Sequence, residues 1–325
     1  MAVKPMSPLR WFVAIAVLIL VFAILISKRN TAPAPEPTSP VAETAISVPD
    51  INPELDPIPP LATLQSMDRD KAPARRSLDL QHWTTEEGAR VYFMQASELP
   101  MLDLQLLFAA GASRDGELPG LATLVNGMLN EGAGGMTSSE IAAGFEGLGA
   151  EFENGSHRDM ALASVRSLTS ADKLDPALAL FTRVVSQPDF PEDAFQRLRN
   201  QLLASLQFRL QSPAAQASEA FWTGLYPGHP YGSLPQGQAD SLAAITPELM
   251  QAFHQQYYAA GNAVISLVGD IDRQQAERIA ARISSALPEG PAAEPVSDPA
   301  PITATRQQVD FNSQQTHIMV GELGV

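Results

Sequence analysis

Few side chains in this chain of 325 residues could do chemistry at a reacting bond. It has no cysteine, which removes thiolate nucleophiles, disulfides and Cys-ligated metal together. No Gly-x-Ser-x-Gly turn presents a serine nucleophile. The five histidines include no pair at the spacing that would turn two imidazoles toward one metal ion. His157 and His229 each stand alone, and each reads as a turn or scaffold residue rather than a ligand. What remains is Gly120 to Gly132, GLATLVNGMLNEG. There Leu121, Leu124, Val125, Met128 and Leu129 recur at three- and four-residue spacing, the stripe of an amphipathic helix. Pro119 suits the first turn of such a helix, and the glycines from Gly132 to Gly135 stop it.

The elements around this stretch would have to position it. Ala89–Met94 and Leu102–Ala109 read as strands, expected to pair as a hairpin across Glu98-Leu99-Pro100. Arg114-Asp115 reads as a structural turn pair leading into the helix. Thr137 or Ser138 can cap a second helix that runs to about Leu148, where Gly149 ends it. Ala150–Asn154 and Met160–Leu168 read as two strands joined by a turn that holds His157 and Arg158. Helices are expected over Asp172–Val185 and from about Glu192 to Gln211. Thr246 caps a further helix, with Pro247 and Glu248 in its first turn. A strand, Ala263–Val268, and a helix, Arg273–Leu287, complete the unit.

These residues carry a family resemblance. The frame Gly-Leu-Ala-x-Leu-x-x-x-Met at residues 120–128 resembles the active-site helix of the M16 (pitrilysin/insulinase-type) zinc peptidases, which bears an inverted zinc motif, His-x-x-Glu-His. The histidine positions fall on Thr123 and Gly127, and the glutamate position falls on Asn126. Thr and Gly are not ordinary zinc ligands, and a neutral amide cannot act as a general base. The third ligand of the family is a glutamate on a later helix. Its position falls at or beside Ser205, in Leu-Leu-Ala-Ser-Leu, where there is no carboxylate. Two more anchors are similar to the family: Tyr226-Pro227-Gly228-His229-Pro230-Tyr231-Gly232 ahead of Ile245-Thr246, and Tyr257 to Asp272 with its Gly269-Asp270-Ile271-Asp272. The resemblance implies an α+β fold, an antiparallel or mixed sheet packed against helices, over residues 81–287. It also implies no catalytic residue, no metal ligand and no bound cofactor in this chain.

Ahead of that unit, Trp11 to Ile26 is apolar and uncharged, about 24 Å long as a helix. Lys4 and Arg10 precede it, and Lys28 and Arg29 follow. The expectation is an uncleaved signal anchor over residues 1–30, crossing the bacterial inner membrane through residues 10–27 with the bulk in the periplasm. A cleaved signal peptide is the competing reading. Residues 31–80 are an acidic, proline-rich linker, with nine prolines between Pro33 and Pro60. Residues 288–304 form a second proline-rich linker. Residues 305–325 resemble the start of a second M16-like domain, expected as strands at Val309–Phe311 and His317–Val320 and read as truncated.

The net charge of −15 opposes nucleic-acid binding. By similarity the chain is expected to be a non-catalytic, membrane-anchored subunit. It would pair with an active M16 zinc peptidase, which would carry the zinc, and help enclose or recognise peptides or unfolded segments. The alternatives are a stand-alone membrane-tethered peptide-binding scaffold and a peptidase with an unrecognised site.

Overall fold

The computed structural model describes residues 78–324. The expected anchor and nearly all of the first linker lie outside the described residues. Among the described residues, no helix is long and apolar enough to cross a membrane.

The core is one six-stranded sheet. Its strands are β1 (Leu80–Thr84), β2 (Arg90–Gln95), β3 (Met101–Phe108), β6 (Glu151–Ser156), β7 (Ala161–Leu168) and β8 (Ala263–Gly269), in spatial order β1-β2-β8-β3-β7-β6. Only β2 and β8 run parallel, so the sheet is mixed. The expected β2–β3 hairpin does not form, because β8 lies between the two strands and pairs with both. Alternate residues of β8 from Ala263 to Gly269 are buried, as suits a central strand.

Register aligns the apolar sides into continuous rows. Phe93, Leu267, Leu104, Val165 and Phe152 form one row, and Val91, Ile265, Leu106, Ala163 and Asn154 the next. Every apolar member of these rows is buried except Phe152, which is partly buried against the same core. On the opposite face Tyr92 and Gln105 are exposed and Ser164 and Ser266 are half-buried. One sheet face is therefore core and the other meets solvent, the arrangement of a two-layer α+β unit. Each fully buried Val, Leu or Phe contributes about 1.5–3 kcal/mol of transfer free energy.

The helices are α1 (Leu121–Gly127), α2 (Ser138–Leu148), α3 (Ala171–Ser186), α4 (Glu192–Leu210), α5 (Pro213–Leu225), α6 (Ala239–Ala244), α7 (Pro247–Tyr257) and α8 (Arg273–Ala286). Their ends follow local chemistry. Thr137 and Glu140 form a reciprocal capping box on α2, and Gly149 closes it at φ 67°. Thr246 caps α7 by accepting from the Leu249 N–H.

α1 is shorter than its apolar stripe suggests. After Gly127 the chain makes three-residue turns, Leu129 N to Asn126 O (3.2 Å) and Glu131 N to Met128 O (3.1 Å). A two-stranded ribbon, β4 (Gly132–Ala133) with β5 (Met136–Thr137), follows. Met128 and Leu129 are still fully buried, so they join the core from the turn rather than from a helix. Residues 288–324 form no helix or strand. The two strands expected there do not form, and Ile318 and Val320 are largely exposed.

Candidate functional site

α1 is held at both ends by groups that fix its rotation. The Asp115 carboxylate accepts from the N–H groups of Gly120 (2.8 Å) and Ala122 (2.7 Å) at its start. Burial pushes this carboxyl up to about 7, outweighing those two N–H bonds. Gly120 has φ 99°, and a Cβ there would come within 2.9 Å of Leu242 Cδ2, so the approach of α6 requires glycine. Asp115 thus has a structural role, satisfying two N–H groups at the start of α1.

The three motif positions are each engaged in fold contacts. Thr123, half-buried, donates from Oγ1 to the Pro235 carbonyl at 2.7 Å. Asn126 is 2% exposed. Its amide nitrogen donates to Leu162 O (3.1 Å) and contacts the Tyr258 hydroxyl (3.3 Å), while its backbone oxygen accepts from Asn154 Nδ2 (2.6 Å). Tyr258 is fully buried, which raises its phenol. A Cβ on Gly127 would lie 3.1 Å from Leu198 Cδ2 of α4. Ser205 is exposed on the same helix, seven residues past Leu198, about 10 Å along the axis.

The two histidines near this region are used otherwise. His229 accepts at Nδ1 from the Tyr231 N–H (3.1 Å), and its Nε2 faces Ser297 O at 2.8 Å as the donor. With both ring nitrogens bonded, it has none left for a metal. His157 is exposed in the β6–β7 turn, where its carbonyl accepts from Ala112 N. His254, which sequence reasoning did not single out, is buried. Its Nε2 donates to Val185 O at 2.8 Å, and burial lowers its pKa to about 4.

Zinc is the metal that the resemblance implies. Thr123, Asn126, Gly127 and Ser205 supply neither an imidazole nor a carboxylate, so this donor set does not fit the ion. Among the described residues, no cluster of three or more His, Cys, Asp or Glu could hold a metal.

Two features near the motif face had no clear sequence signal. Arg158, in the β6–β7 turn, stacks on Trp222 of α5, its guanidinium carbon 4.4 Å from the ring centroid. It also donates to the carbonyls of Tyr231 and Ser233 (3.1 Å to the latter). A cavity of about 200 Å³ lies there, walled by Arg158, Trp222 and the 232–236 loop. The Ser212-Pro213 start of α5 was a readable cap signal, since Ser212 accepts from Ala215 N and Pro213 follows at the first turn.

Comparison with known proteins accords with this geometry. The family model described as insulinase (peptidase family M16) matches residues 94–229, and the one described as peptidase M16 inactive domain matches 244–325. A solved structure of a peptidase M16 inactive domain from Pseudomonas fluorescens is 52% identical over 69% of this chain and 54% of its own, with a TM-score of 0.68. The periplasmic protease PqqL from Escherichia coli shares the fold at 23% identity, over 68% of this chain and 26% of its own, with a TM-score of 0.59. An uncharacterized zinc protease of Rickettsia felis is 24% identical over 54% of this chain and 42% of its own. The chain thus spans about half the length, or less, of the relatives it matches. The word "inactive" describes the model over 244–325, whereas the zinc-motif positions lie under the other one. The chain belongs to the M16 (insulinase) peptidase family, as a member that lacks the inverted zinc motif.

Proposed function

We propose that this chain is a catalytically inactive M16 peptidase-like subunit that pairs with an active zinc-peptidase chain and helps enclose and recognise peptide substrates. The observation that carries this reading is the engagement of all three motif positions, Thr123, Asn126 and Gly127, in hydrogen bonds or packing that leave no metal-binding group. Zinc then belongs to the partner, where it would polarise the scissile carbonyl and activate water. Peptide recognition is supported by β6, an edge strand with no strand beyond it among the described residues. Such an edge can accept an extended peptide through main-chain hydrogen bonds.

The proposal includes anchorage in a bacterial inner membrane through residues 10–27, with the folded part in the periplasm. It is supported by the apolar run from Trp11 to Ile26 and its basic flanks. The relative PqqL is described as a periplasmic protease.

The test is to solubilise the full-length protein from its native membrane and identify what co-purifies in stoichiometric amount. The proposal expects an M16 chain with an intact His-x-x-Glu-His and with peptidase activity. A partner-free protein would refute the pairing.

A further inference from the structure

We infer that the cavity between the β6–β7 turn and α5 binds a carboxylate group carried by a peptide, with Arg158 and Arg209 as its recognition residues. The cavity, about 200 Å³, is lined by both arginines with Ser218, Glu219, Trp222 and Ser233. Neither guanidinium has a carboxylate within 4 Å among the described residues.

Arg158 is held in place before any ligand arrives. Its plane rests on Trp222, and one terminal nitrogen is tied to the carbonyls of Tyr231 and Ser233. The other terminal nitrogen is not used by those bonds, and a guanidinium offers five N–H donors in all. Burial lowers its pKa and Asp159 raises it, so a partly buried cation is held without a direct counter-ion. Arg209 makes no side-chain hydrogen bond among the described residues, and its Nε is shielded from water without a partner.

The ligand class follows from charge and shape. Two guanidiniums and the single carboxylate of Glu219 line the cavity, and Asp159 acts on Arg158 from outside the lining, so a singly charged anion suits the site better than a multiply charged one. A planar carboxylate matches the guanidinium fork. A phosphate, with nearly two negative charges near neutral pH, would meet Glu219 with greater repulsion. The cavity is also placed where a peptide would reach it. Arg158 lies two residues past the end of edge strand β6, and Pro235, the acceptor for Thr123, is in the cavity wall. That the carrier is a peptide rests on the function proposed above, while the carboxylate chemistry does not.

The test is calorimetric titration of the full chain with four probes: N-acetyl-Ala-Phe, its C-terminal amide, N-acetyl-Ala-Glu-Ala-amide and inorganic phosphate. The first and third separate a terminal carboxylate from an acidic side chain. At least one of them is expected to bind, with the neutral amide weaker by about tenfold or more. Arg209→Gln, which removes no hydrogen bond of the fold, should weaken that binding by a similar factor, and Arg158→Lys should weaken it because lysine lacks the fork. The inference is overturned if neither carboxylate peptide binds, if the amide binds equally, if Arg209→Gln binds like wild type, or if phosphate binds more tightly. Such a failure would leave the co-purification test of the subunit reading untouched.

Discussion

Thr123 Oγ1 and the backbone oxygen of Pro235 are joined by a 2.7 Å hydrogen bond across 112 residues of chain. In a zinc-bearing relative the side chain at this position would face a metal. Here it fastens the 226–237 loop onto α1. The loss of the motif is therefore built into the packing around it.

Restoring the motif letters is not expected to restore the metal site. In a Thr123→His, Asn126→Glu, Gly127→His variant, the new glutamate would replace an amide that is 2% exposed, and an unpaired buried carboxylate costs several kcal/mol. The imidazole at 127 would displace Leu198, and the distal position near Ser205 would still lack a carboxylate. We predict a loss of about 2 kcal/mol or more of stability in denaturant unfolding and no stoichiometric zinc by elemental analysis.

Asn126 should behave as a structural residue. Replacing it with alanine orphans the buried Tyr258 hydroxyl and removes the bond to the Leu162 carbonyl, at a cost of about 1–3 kcal/mol. Tyr258→Phe keeps the ring packing and the bond to Leu162, so a smaller loss of about 1 kcal/mol is expected. The double variant should be less destabilised than the sum of the two, which a double-mutant cycle measures.

His254 gives the fold an acid-sensitive contact. Its pKa falls from 6.5 to about 4 in the folded chain because burial disfavours the cation. The unfolded chain then takes up a proton below about 6.5 that the native state refuses. Stability from this group is full above that pH and is lost as pH falls toward 4. The full effect is on the order of 3 kcal/mol. His254→Gln, which keeps a donor for Val185 O, should flatten this part of the stability profile between pH 6.5 and 4.

Asp115 acts with the opposite sign. Its folded pKa is raised from 3.8 to about 7, so the native state holds a proton that the unfolded chain releases. Its contribution is full below about pH 4 and is lost as pH rises toward 7. Thermal melts of wild type and Asp115→Asn should show wild type losing ground relative to the variant across that interval. A constant difference would mean that the two N–H bonds hold the carboxylate ionised.

Much of this was legible locally. Thr137 with Glu140, Thr246 with Pro247, and Gly149 announce helix ends through side-chain chemistry confined to one turn, and the structure has those ends. The frame around Thr123, Asn126 and Gly127 gave the family because its apolar spacing survives the loss of its polar residues. What was not legible depends on distant pairing. β8 enters between β2 and β3 from about 160 residues away, whereas a short connection favours a sequential hairpin. Asn126 meets Tyr258 across 132 residues, and Arg158 meets Trp222 through two separate turns. No local pattern encodes such pairs. The early end of α1 was hidden for a different reason: Met128 and Leu129 are buried from a tight turn as fully as they would be from a helix.

The central claim is that this chain supplies no catalytic centre of its own. The most direct measurement is zinc content and peptide cleavage of the purified full chain, alone and then with the co-purifying chain added back. The account predicts no stoichiometric zinc and no metal-dependent cleavage by the chain alone, with both appearing when the partner is present. Stoichiometric zinc with chelator-sensitive cleavage by the chain alone would contradict it.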